Sequence, residues 1–220
     1  MPRQTFFNLP DEKRQAILEI AIGEFATNDY QSASISRMVT RLGIAKGSFY
    51  QYFEDKLDLY LYVLDIAIGE RLAFVTQQVR LVNQSDFFAY VQELLESGLR
   101  YDLAHPRLGQ IIYRAMFSGG SYQKVGSSHI RQKLLDFQRN VLAQGITVGA
   151  IAPDINLDLA AHMLNAIMGD FGSFAVAHLG LDIESLIQGD TSPADLEALR
   201  AALAQSMRIL RYGLAPRSLL

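Results

Sequence analysis

Apolar residues recur at spacings of three and four along nearly all of this 220-residue chain, and the alternating pattern of a half-buried strand is scarce. That periodicity calls for helices that each bury one stripe, and the expected fold class is all-α. Half of the residues are hydrophobic and 20% are charged, which is enough apolar surface to pack such stripes together. The 6 prolines are scattered, and no Ser, Gly or Gln tract marks a linker.

The chain has no cysteine, which excludes a disulfide scaffold, a thiolate nucleophile and a Cys-based metal site. No charged segment followed by an apolar one opens it, and no run approaches the roughly 18 apolar residues of a membrane span. The expectation is a soluble, cytoplasmic protein without a membrane partner.

The pattern divides into about nine helices, three in an N-terminal unit and six after it. The first begins near Pro10, carries Ile17, Ala21 and Phe25 on its buried stripe, and stops before the Asn28-Asp29 turn. A second runs from Ile35 to Leu42, with Ser34 as N-cap and Gly43 as left-handed C-cap. A third covers Ala45 to Tyr52, and a fourth runs from Glu54 or Asp55 to Leu81. Further helices are expected from Asp86 to Leu103 (capped by Ser85), from Pro106 to Phe117, and from Ser128 to a stop at Gly145. Another starts after Asn156 and reaches His178, and the last has Ser192 as N-cap, Pro193 in its first turn and an end near Gly213. Ser118 to Ser121 reads as a mobile loop, and Gly180 to Thr191 as irregular.

Net charge is −3, but it is unevenly spread. From Gln31 to Lys56 four cations (Arg37, Arg41, Lys46, Lys56) face two anions, a net of +2, while the chain after Lys56 holds 13 cations and 16 anions. A contact with DNA would therefore be local and N-terminal.

Between Ser34 and Lys56 two short apolar stripes are joined by a sharp turn. Ile35, Met38, Val39 and Leu42 line one; Ile44, Phe49, Phe53 and Leu57 line the other. Gly43 supplies the positive φ that the turn needs. Outside remains a narrow polar face: Lys46 and Tyr50 four apart, with Gly47, Ser48 and Gln51 beside them. A recognition helix sets such a face into the major groove. Gly47 allows close approach, Tyr50 and Tyr52 can reach phosphates through their hydroxyls, and Lys56 can neutralise one. The start of the second helix, with Ser34, Ser36 and Arg37, is a further phosphate site.

The string Leu42-Gly43-Ile44-Ala45-Lys46-Gly47-Ser48-Phe49-Tyr50-Gln51-Tyr52-Phe53-Glu54-Asp55-Lys56 resembles the turn, recognition helix and following lysine of the TetR family of bacterial regulators. Upstream, Ala33-Ser34-Ile35 fits the start of that family's second helix. Ala45 departs from the pattern, standing where the family often has Ser or Thr, so this position of the DNA-facing set lacks the capping hydroxyl.

The resemblance implies a helix-turn-helix DNA-binding domain over residues 1–54 and a helical ligand-binding and dimerisation domain over residues 55–220. It implies a homodimer, a double-stranded DNA operator as partner, and a small-molecule effector whose binding releases a repressor. The last two long helices suit a dimer seam through Leu157, Ala161, Leu164 and Met168, and through Leu196, Leu199, Leu203 and Met207; the same stripes also suit intrachain core. Aromatics crowd the middle helices, interrupted by polar groups. Tyr113, Phe117, Asn165 and Phe171 are the candidates for an apolar or aromatic effector with one polar handle. Effector binding is expected to shift the fourth helix and so change the spacing of the two recognition helices.

An enzyme finds little support. The chain has no His-Glu-x-x-His, nucleophile elbow, phosphate loop or dinucleotide fingerprint. Its four histidines lack metal-ligand spacing, and no cofactor or metal is expected. The competing class is a helical ligand-binding or adaptor protein that does not use the helix-turn-helix for DNA.

Overall fold

The computed structural model describes residues 1–79, 86–117, 123–169, 171–190 and 192–213. Among the described residues there are twelve helices and no strand: α1 (Gln4–Phe7), α2 (Asp11–Thr27), α3 (Ile35–Leu42), α4 (Lys46–Tyr52), α5 (Lys56–Gln78), α6 (Phe87–Ala104), α7 (Pro106–Phe117), α8 (Gln123–Thr147), α9 (Leu157–Gly169), α10 (Phe171–Leu179), α11 (Ile183–Ile187) and α12 (Pro193–Tyr212). The fold class is all-α, as the periodicity requires. The expected cap at Ser85, the loop at Ser118 to Ser121 and Asp170 lie outside the described residues.

Where end signals are local, the boundaries fall where the sequence puts them. Ser34 Oγ accepts from the Arg37 N–H, and Gly43 takes φ 66°. Gly43 N–H reaches Thr40 O and Ile44 N–H reaches Val39 O, the paired bonds of a Schellman stop. Ser192 and Asp195 form a reciprocal capping box at the head of α12. Four features differ from expectation. α1 and α11 are additional short helices, α9 and α10 stand where one helix reaching His178 was expected, and α8 begins earlier and continues through Gly145. A Cβ at residue 145 would come within 2.7 Å of the Phe87 ring and 2.8 Å of Ile151. Glycine is there for close packing, and the helix instead stops at Gly149, with φ 73°.

The helices group into two compact units. The first comprises Met1–Glu70 and His105–Ile130, the second Arg71–Ala104 and Arg131–Leu220. α5 and α8 supply residues to both.

In the first unit α2 packs on α3 and α7, α3 on α4, and α1 on α4. Its core includes Phe6, Ile17, Phe25, Met38, Val39, Phe49, Phe53, Leu64 and Ile111, all buried. Two arginines of α7 fasten that helix to α2. Arg107 donates to Glu19 Oε2 at 3.0 Å and to Glu19 O at 2.8 Å, and Arg114 donates to Ala26 O at 2.7 Å.

In the second unit α12 packs on α6, and α10 packs on α9, α11 and α12. One buried cluster gathers Val75, Val79, Phe87, Tyr90, Val91, Leu94, Val141 and Met207; a smaller one gathers Ala175, Leu181, Leu186 and Leu199.

Candidate nucleic-acid interface

The recognition face is built on a buried acid. Glu24 belongs to the inward face of α2 and is only 3% exposed. Its Oε1 accepts from the Ser34 N–H at 2.8 Å and from Arg37 Nε and Nη2 at 2.9 and 2.5 Å. Arg37 Nη2 also donates to Ser32 O at 2.6 Å. One carboxylate thereby fixes the start of α3 against α2. Such a charge is tolerated inside because each of these partners is a donor.

The far end of the motif is held in a similar way. Lys56 Nζ donates to Gln31 O at 3.2 Å and to Ala33 O at 2.9 Å, and lies 4.6 Å from the centre of the Tyr30 ring. Partial burial pulls its pKa below the usual lysine value, opposed by Asp29. Asp55 Oδ1 accepts from the Asp58 N–H at 2.8 Å and caps α5. Nearby, Tyr60 packs between Phe25 and Tyr30, with both ring centres at 5.0 Å. Burial pushes its phenol up to about 12, helped by Tyr30.

α4 turns Phe49 and Tyr52 inward, and Phe53 follows them into the core. Phe49 stacks edge-on against Tyr50 at 5.2 Å and tilts over Phe53 at 5.5 Å. Outward go Ala45, Lys46, Gly47, Tyr50 and Gln51, all exposed, with Ser48 half-buried. Ser36 is exposed on the adjoining helix, and Ser34 is half-buried. No side chain caps the start of α4, as the alanine at position 45 leads one to expect. A Cβ on Gly47 would meet nothing within 4 Å.

The expected contact residues thus divide. Ser36, Ala45, Lys46, Gly47, Ser48, Tyr50 and Gln51 present surface. Arg37 and Lys56 are engaged with Glu24 and with backbone carbonyls, and Tyr52 is buried. These contacts hold the motif's own geometry, while Arg37 keeps 52% of its side chain exposed. The stripe read as a dimer seam lies largely inside the chain: Ala161, Leu164, Leu199, Leu203 and Met207 are buried, and Leu157, Met168 and Leu196 half-buried. Of the effector candidates, Tyr113 and Phe117 pair on α7 in the first unit, with ring centres at 5.1 Å. Asn165 and Phe171 belong to the second, where Phe171 packs on the smaller cluster.

Sequence reasoning missed Glu24 and the N-terminal cap. Glu24 was detectable as an acid three residues after Ala21 on an apolar stripe. The cap was not, because α1 has only four residues. Arg3 N–H donates to Tyr52 O at 2.8 Å and Thr5 Oγ1 donates to Gln51 O, so the last carbonyls of α4 are satisfied from upstream. Among the described residues no group of three or more acidic, His or Cys side chains could hold a metal ion, and no helix is long and apolar enough to cross a membrane.

Residues 17–63 match the family model for bacterial regulatory proteins of the tetR family, and residues 85–215 match that for the tetracyclin repressor-like C-terminal domain. A TetR family transcriptional regulator from Chloroflexus aurantiacus is 37% identical, with a TM-score of 0.63 over 97% of this chain and 98% of its own. An HTH-type transcriptional regulator from Staphylococcus aureus is 30% identical over 128 residues, 57% of this chain; the match spans 65% of that relative's length. The transcriptional regulator FadR from Bacillus subtilis, solved in complex with stearoyl-CoA, shares the fold at 16% identity, with a TM-score of 0.63 over 91% of this chain and 99% of its own.

Proposed function

The chain belongs to the TetR family of transcriptional regulators, and we propose that it is a ligand-responsive repressor that binds a pseudo-palindromic operator as a homodimer and leaves it when a small, largely apolar effector binds. Members of this family are regulators, not enzymes. The observation that carries the DNA reading is the outer face of α4. An exposed cation, an exposed tyrosine and an amide surround a glycine, while Phe49 and Phe53 anchor the helix from behind. Lys46, Gly47, Ser48, Tyr50 and Gln51 read the major groove. Ser34 and Ser36 meet the flanking backbone. Tyr52 and Lys56 support that face from within, and Arg37, itself exposed, ties the start of α3 to Glu24.

Residues 1–54 form the reading domain and residues 55–220 the effector-binding and dimerisation domain. The dimer forms through outward faces of the helices first assigned to it: Leu159, Met163 and Ile167 on α9, Phe174 and Val176 on α10, and Ile209 on α12 are all exposed large apolar side chains. The stearoyl-CoA solved with FadR has a long apolar tail, which supports a largely apolar effector. Release follows a shift of α5, which begins four residues after α4 ends.

The decisive variant is Lys46→Ala with Tyr50→Ala. With a site selected from random DNA at fixed salt, operator affinity falls about 100-fold, while melting temperature and dimer mass stay unchanged. Undiminished affinity would falsify this assignment of α4.

A further inference from the structure

Three helices carry, within the second unit, a buried polar atom without a hydrogen-bond partner, one turn from an apolar residue that belongs to or packs against one cluster. Ser97 lies three residues after Leu94 on α6, Gln138 three before Val141 on α8, and Asn165 three before Met168 on α9. Leu94 and Val141 belong to the larger buried cluster, and Met168 packs against it. Ser97 Oγ, Gln138 Oε1 and Asn165 Nδ2 are buried and make no hydrogen bond within the chain. Ser97 is 0% exposed, Asn165 5% and Gln138 8%. An unpaired buried polar atom costs more than the hydrogen bond it lacks would contribute, so native chains leave few of them. Three such atoms, each one turn from a residue of that cluster or packed on it, call for a common explanation.

We infer that Ser97, Gln138 and Asn165 recognise the effector's polar head, and that this head is neutral, an alcohol or a carboxamide on an apolar body, and not a carboxylate. The three atoms offer a hydroxyl, a carbonyl oxygen that needs a donor, and an amide N–H that needs an acceptor. A carboxamide satisfies all of them, and an alcohol can both donate and accept. An anion would need a cation, and two arginines on helices of the cluster, Arg71 of α5 and Arg211 of α12, are already paired with acids. Arg71 donates through Nε to both carboxylate oxygens of Asp102, at 3.0 and 3.1 Å. Arg211 is paired with Asp86 and lies over the Phe88 ring at 5.5 Å. An uncompensated buried carboxylate is far more costly than a neutral head. The inference rests on the reading that the helical domain binds an effector. It adds the place and the chemical class.

Three probes with one tail and different heads test it: 1-decanol, decanamide and decanoate, added to the full chain and to the variant Ser97→Ala/Gln138→Leu/Asn165→Leu. Decanol and decanamide raise the melting temperature of the unaltered chain, decanoate does not, and the variant's affinity for the two neutral probes is at least tenfold lower. Without ligand the variant melts higher, by about 2–4 °C for each substitution, because near-isosteric apolar groups remove the unpaired atoms. Each single variant is melted as well, so that a misfolded triple variant conceals nothing. Several results overturn the inference: preference for decanoate, undiminished decanamide binding by the variants, no binding of any probe, or single variants that melt several degrees lower and so reveal a structural role. Operator titration of the unaltered chain in the same buffers keeps the two readings apart, since a chain that never binds DNA overturns the repressor and leaves the ligand site standing.

Discussion

Gly47 lies in a helix that asks nothing of it. Its φ is not positive, and a Cβ there would find open space. Gly43, three residues before α4, is a glycine for the opposite reason, since its φ of 66° strains any other side chain. Gly47→Ala therefore stabilises the fold, by up to about 1 kcal/mol, and weakens operator binding about tenfold because the methyl holds the helix off the DNA. Thermal melting and operator titration of one sample show the two opposite signs; unchanged DNA affinity would count against close approach at this position. Tyr60 makes a pH prediction. Its phenol ionises near 10.0 when unfolded and near 12 when folded, so the folded state holds the proton longer. The stability linked to this group is complete below pH 10.0 and disappears as pH rises towards 12, a loss of about 2–3 kcal/mol. Tyr60→Phe should flatten that part of the curve in denaturant titrations, and an unaltered alkaline limb would exclude Tyr60 as its source.

Helices written in local signals were legible, and those that depend on distant partners were not. Ser34, Gly43, Pro106, Asn156 and Ser192 act within a turn of their own position, and the boundaries they imply appear in the structure. Gly145 carries the same residue type as a stop, but what decides it is the Phe87 ring, dozens of residues away. The candidate site divides on similar lines. Lys46, Gly47, Tyr50 and Gln51 follow from helical spacing, whereas the intrachain contacts of Arg37, Tyr52 and Lys56 depend on Glu24, α1 and the carbonyls of 31 and 33. α1 shows how much a short element can contribute. Phe6 is fully buried, with ring centres 5.0 Å from Phe53 and 5.6 Å from Tyr62. Phe6→Ala should cost about 3–5 kcal/mol and loosen the end of α4. Chemical denaturation gives the energy, and amide exchange at Gln51 and Tyr52 should rise with it. Unchanged exchange there would mean that α1 does not hold the recognition helix.

At the scale of the whole molecule, the proposed reading needs a second copy, because one helix of seven residues spans too few bases to select a site. Leu159, Met163 and Ile167 recur every four residues on α9 and face outward. Met163→Glu with Ile167→Glu places charges on that face and should leave a folded monomer by light scattering, with operator affinity lowered at least 100-fold. A dimer that persists would move the interface elsewhere. Within each copy, the link from α2 to α7 has a property of its own. Arg107 and Arg114 lie seven residues apart, and so do the two carbonyls they reach, at Glu19 and Ala26. Equal intervals of about 10.5 Å on both helices mean that a slide of α7 along α2 releases both grips together. The joint therefore has a single register, and both grips are kept or lost together.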